Sequence, residues 1–162
     1  TYLDADIGAE RARVWQERLA EPDKRQLVLL AEEAGTLVGF ACVLLDEEPG
    51  WGACLDNLHV RPGLIGRGFG GELLARTAQW LVQAEPGWTL HLWVIEANVA
   101  ARRFYERHGA EFAERAVKPL PNGSRLAVCR YFWREPARLL GLPGGLGGLR
   151  PSASAGRVGR PC

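Results

Sequence analysis

Ile7, Val14, Trp15 and Leu19 recur at helical spacing over residues 7–20, and Pro22 closes that segment. Next, QLVLLAEEAGTLVGFACVLL holds two apolar runs around EEAGT, the pattern of a β-hairpin. A third strand, WGACLDNLHV, breaks strict alternation, because Leu55 and Leu58 stand three apart and Leu58 and Val60 two apart. One extra residue at Asp56-Asn57 would bring all three to one face, which predicts a β-bulge. A helix is expected over 68–83, with Leu73, Leu74, Ala78, Trp80, Leu81 and Val82 as its apolar face, ended by Pro86-Gly87. WTLHLWVI reads as a strand, Asn98 as the N-cap of a helix over VAARRFYERH, and Gly109 as its stop. Two last strands flank Asn122-Gly123, a hairpin signal. From Ala137 onward Gly, Pro, Ser and Arg follow without periodicity, so residues 137–162 read as a disordered, dispensable tail behind one domain over 1–136.

The length of 162 residues fits that single domain. The net charge of +1 conceals an asymmetry, since residues 1–135 carry 16 bases against 19 acids and the tail holds arginines without acids. A slightly acidic body argues against nucleic acid as a partner. Cys42, Cys54, Cys129 and Cys162 show no paired spacing, and the first three lie in apolar runs, which fits buried free thiols in a reducing cytoplasm. No apolar run is long enough to span a membrane, and Asn122-Gly123-Ser124 reads as a turn rather than a glycosylation site. His59, His91 and His108 are too scattered for a metal site.

IGRGFGGELL, residues 65–74, carries four glycines just before a helix, a composition suited to backbone approach to a phosphate. Gly66, Gly68 and Gly71 satisfy the dinucleotide pattern G-x-G-x-x-G. In a dinucleotide fold, however, the first glycine directly follows the strand, whereas RPGLI intervenes here, and the preceding strands read as antiparallel. A triphosphate loop requires a Lys that the run lacks.

LHVRPGLIGRGFGGELL followed by NVAARRFYERHGA resembles the GCN5-related N-acetyltransferase (GNAT) superfamily. The first stretch matches V-x-P-x-x-[RQ]-G-x-G-x-[GA]-x-x-L-L and the second N-x-x-A-x-x-F-Y-x-x-x-G, in that order with a strand between them. The resemblance covers about residues 27–133. It implies an α/β (α+β) GNAT fold: a mixed, mostly antiparallel sheet with a bulged, splayed strand pair, flanked by helices. It also places the family's first strand and helix ahead of residue 7, which implies a shortened N-terminus. Ile65 stands where the family has Arg or Gln, which predicts weaker affinity for the cofactor.

The resemblance implies acetyl-CoA as cosubstrate and an amine as acceptor, with no nucleic acid or membrane partner and a monomer or homodimer as the assembly. Gly66, Gly68 and Gly70 would let the pyrophosphate approach, and the amides of Arg67, Phe69 and Gly71 would complete an anion nest. The backbone of Leu58, His59 and Val60 would pair with the pantetheine arm, and an amide there could serve the oxyanion. Asn98 would bond the arm, or act simply as an N-cap. Tyr105 would protonate the thiolate, while Phe104 packs in the core. Asp56 and Glu96 are candidate general bases, with His59 a third. The acceptor would lie among Trp15, the loop 46–51 and residues 118–125, where Asp46, Glu47 and Glu48 attract a cation. An N-acetyltransferase acting on a primary amine is the leading expectation. A non-catalytic acyl-CoA-binding module of the same fold is the alternative.

Overall fold

A hairpin turn at Ala34 and Gly35, both at positive φ (50° and 76°), folds β1 (Gln26–Glu33) antiparallel onto β2 (Thr36–Leu44). This computed structural model describes residues 25–45, 47–120 and 123–141. The expected helix over 7–20, with Trp15, and also Asp46, Cys162 and residues 142–162 lie outside them. β2 pairs antiparallel with β3 (Ala53–Val60), and a short 3₁₀ turn at Pro62–Leu64 leads into α1 (Phe69–Ala84). β4 (Leu90–Ile95), α2 (Val99–Arg107), β5 (Glu111–Pro119) and β6 (Arg125–Trp133) follow. The sheet order is β1-β2-β3-β4-β6-β5, and among the described strands only β3 and β4 run parallel.

One face of this sheet, with Leu27, Ala41, Val43, Leu55, Leu90, Leu92 and Tyr131, packs with Leu73, Leu74, Ala78 and Leu81 of α1 in a single core. Cys42, Cys54 and Cys129 are buried free thiols. Trp80, expected on the apolar face of α1, is only partly buried, and Thr77 takes a fully buried place instead.

The tail begins later than its composition implies. Pro136–Gly141 form a 3₁₀ turn against α1, and Leu139 is 2 % exposed within the core. Residues 137–141 therefore pack against the domain, with Pro136 and Leu139 as the buried residues of the turn. Leu139→Ala should cost about 2–5 kcal/mol, the range for a leucine truncated in a core. Urea denaturation checks this, and an unchanged midpoint would show that the turn contributes nothing.

Candidate functional site

The site is built from a bulge and a missing ladder. Along β3, Val43 faces Leu55 and Cys42 faces Asn57, so Asp56 is the extra residue. That insertion turns Leu55, Leu58 and Val60 toward the core, as their spacing requires. On its other edge β3 pairs with β4 only at Ala53–Leu90 and Cys54–His91. Beyond Cys54 the strands separate, while β4 remains paired to β6 as far as Ile95. The β3 edge from Leu55 to Val60, including Leu58 and His59, thus faces an open slot, and its main-chain groups there have no ladder partner on β4. The His59 side chain is exposed, its ring 5.7 Å from Phe40.

At the mouth of the slot the chain turns through the glycine run. Gly66 and Gly68 sit at φ 88° and 90°, where a side chain is strained, and Gly68 caps α1. The Glu72 N–H donates to the Gly68 carbonyl at 3.0 Å and is the first to enter the helical ladder. The amides of Phe69, Gly70 and Gly71 precede the ladder at the positive end of the helix dipole. Arg67 differs from expectation. Its N–H donates to the Leu64 carbonyl at 3.3 Å, and its guanidinium pairs with Glu33 at 3.2 Å. Gly70 has a packing duty as well, because a Cβ there would lie 3.2 Å from the Phe104 ring. A Cβ on Gly71 would lie 3.0 Å from His108 Nε2, so this pair of glycines lets α1 meet α2. Phe69 is buried in the core, whereas Ile65 is 71 % exposed beside the run.

Asn98 caps α2, its Oδ1 accepting from the Ala101 N–H at 3.1 Å. Tyr105 is 9 % exposed, edge-on to Phe104 and Trp133. Burial pushes its phenol up to about 12, so it holds its proton across the neutral range. The two candidate bases differ. Asp56 is exposed at the bulge and accepts from Asn57 Nδ2 at 2.8 Å. Both Glu96 oxygens accept from Arg115, at 2.7 and 2.9 Å, and those bonds hold its carboxyl below the usual range. A carboxylate so engaged is a poor proton acceptor.

The opposite face of β4 and β6 carries a cluster that sequence reasoning reached only in part. Arg130, 5 % exposed, lies 4.0 Å from the Trp51 ring centre and 4.2 Å from that of Trp93. Its guanidinium pairs with Glu48 at 2.5 Å and Glu114 at 2.8 Å. Trp93 Nε1 donates to Glu48 at 2.7 Å. Burial raises the Glu48 carboxyl, but the bonds from Trp93 and Arg130, with the charge of Arg130, outweigh it and hold the group low. The loop at 46–51 and Lys118 were expected here; Trp93, Glu114 and Arg130 were not. The signal available was Arg130 itself, a charge set inside the apolar run LAVCRYFW.

His91 is 0 % exposed on this face, and neither ring nitrogen has a hydrogen-bond partner among the described residues. Burial pushes its imidazole down to about 4, with Arg130 and Lys118 acting in the same direction and Glu48 against it. The unfolded chain takes up this proton near pH 6.5, about two units before the native state does. The native state therefore keeps its full stability above that pH and loses up to about 3 kcal/mol as pH falls to about 4. His91→Phe should flatten that part of the pH profile in urea denaturation. An unchanged profile would show that His91 does not titrate in this way.

The model of the Acetyltransferase (GNAT) family matches residues 2–110. The chain belongs to this family. No curated protein matches it. Among solved structures, the ribosomal-protein-S18-alanine N-acetyltransferase of Escherichia coli is 25% identical, with 72% of this chain and 74% of that one covered and a TM-score of 0.58. A protein of Desulfovibrio desulfuricans assigned to the GNAT family is 24% identical, covering 85% and 84%, with a TM-score of 0.64. One from Bacillus anthracis, assigned as a streptothricin acetyltransferase and solved with acetyl coenzyme A, is 20% identical, covering 69% and 64%, with a TM-score of 0.59. The GNAT fold accounts for the mixed six-stranded sheet and its flanking helices. Among the described residues no helix is long and apolar enough to cross a membrane.

Proposed function

We propose that this GNAT protein transfers an acetyl group from acetyl-CoA directly to a primary amine of a small molecule or a protein N-terminus. The observation that carries this reading is the open edge of β3 beside a helix start whose amides precede the ladder. An extended pantetheine arm can pair with that edge through Leu58, His59 and Val60, as a strand would. The pyrophosphate suits the helix start at Gly68–Gly71, aided by Gly66 and by the Arg67 side chain.

The amine nitrogen attacks the thioester carbonyl, forming the C–N bond, and an amide on β3 stabilises the oxyanion. Collapse breaks the C–S bond. The phenol of Tyr105 gives its proton to the thiolate, and the ammonium proton leaves to Asp56 or to solvent through it. Asp56 is preferred over Glu96 because Arg115 occupies both Glu96 oxygens. Asn98 can serve the arm through its amide while its Oδ1 caps α2.

Ile65 favours the second reading, a non-catalytic acyl-CoA-binding module, because it supplies no charge to the phosphates. Thiol release from acetyl-CoA against a panel of amines separates the two. Amine-dependent release supports transfer, and binding without release supports the module.

A further inference from the structure

Two cations lie 4.2 Å from the centre of the Trp93 ring, the Arg130 guanidinium and the Lys118 ammonium. Arg130 comes to the indole from within the sheet, with Trp51 also against it, and Lys118 comes from the exposed end of β5. They are held very differently. Arg130 is buried, sandwiched by Trp51 and fixed by Glu48 and Glu114. Lys118 is exposed near the end of β5, and among the described residues no carboxylate pairs with it. Among the described residues the contact to the indole is what holds its flexible side chain there. Lys118 is also one of only two lysines in the chain, against 18 arginines, so an ammonium at this place stands apart from the general surface.

The surroundings suit an ammonium better than one lysine requires. Glu47 and Glu48 stand on the loop before β3 and Asp56 at its bulge, and all three act on the buried Cys54 thiol. With Glu114 that makes four carboxylates against Arg130 and Lys118. His91 lies across the last strand pair from Cys54, 5.9 Å from the Trp51 ring, fully buried with both nitrogens unpartnered among the described residues. Beside Glu48 a cavity of about 320 Å³ opens between the loops at 48–52 and 87–89, with room for an alkyl chain.

Resting on the acetyl-transfer reading, we propose that the outer face of Trp93 is the seat of the acceptor's ammonium, that the acceptor is an alkylammonium without an adjacent carboxylate, and that Lys118 is an internal occupant it displaces. A carboxylate beside the amine would enter a region where Glu47, Glu48, Asp56 and Glu114 outnumber Arg130 and Lys118, and that balance disfavours it. Displacing Lys118 costs one cation–π contact and leaves a more negative site for the incoming cation.

The test uses Lys118→Ala with 1,4-diaminobutane and with glutamate as acceptors. KM for the diamine should fall about 3–10-fold, as when an internal competitor fills the seat roughly 70–90 % of the time. KM for glutamate should not fall, and Lys118→Arg should restore the wild-type value for the diamine. Trp93→Leu should raise KM for the diamine, and Trp93→Phe, which keeps a ring, should raise it less. An unchanged or higher diamine KM in Lys118→Ala overturns the proposal while leaving acetyl transfer intact. If no amine is turned over, the acetyl-transfer reading fails separately, and tryptophan fluorescence titrated with 1,4-diaminobutane reads the seat directly. A saturable change with a lower Kd in Lys118→Ala, lost in Trp93→Leu, supports it; no saturable change overturns it.

Discussion

Tyr105→Phe should lower kcat by roughly 10²–10⁴-fold, the usual range for a positioned acid, with little change in melting temperature. The substitution removes only a hydroxyl. Its ring keeps the edge-on contacts to Phe104 and Trp133, with centroids 5.2 and 6.1 Å away. Burial holds the phenol protonated up to about 12, so the acid is available wherever the enzyme is assayed near neutrality. Tyr105→Ala would confound the result, since an emptied aromatic site in the core costs about 3–5 kcal/mol. Wild-type kcat in Tyr105→Phe on a confirmed acceptor would show that water or another group delivers the proton, and Tyr105 would then be a core residue only.

The second large effect concerns the helix start. Saturating acetyl-CoA should raise the melting temperature, with about 2.7 kcal/mol of stabilisation at a hundredfold excess over Kd. Gly68→Val should abolish most of that shift while leaving the protein folded. Gly68 holds φ 90°, so a β-branched residue there is strained by about 1–3 kcal/mol or must move the loop away from the amides that follow. Gly71→Val is a poorer probe, because its Cβ would press on His108 and disturb the contact between α1 and α2. An equal shift with NAD and none with CoA would contradict the assignment of this nest.

Features written in neighbouring residues were legible before any coordinates. The three-then-two spacing of Leu55, Leu58 and Val60 demanded an extra residue, and the register confirms it at Asp56. Asn98 caps α2 as its position suggested. What depends on distant partners was not legible. Glu48 and Arg130 are 82 residues apart, and no local pattern says that two tryptophans will enclose the guanidinium. Gly70 was read for the phosphate alone, since only the packed helices reveal the Phe104 ring against it. Glu96 looked like an available base until β5 brought Arg115 to both of its oxygens. Leu139 was not legible because nothing local in PARLLGL separates the leucine that docks from Leu140, which is 49 % exposed beside it.

The most direct measurement counts both products of a single reaction. Enzyme, acetyl-CoA and an excess of 1,4-diaminobutane are incubated together, with free CoA thiol titrated and the N-acetylated amine quantified by mass spectrometry. Transfer across the open edge of β3 predicts thiol and amide in equal amounts, both dependent on enzyme and both strongly reduced in Tyr105→Phe. Acetyl-CoA binding with no thiol released against any amine, or thiol released without amide, would contradict it.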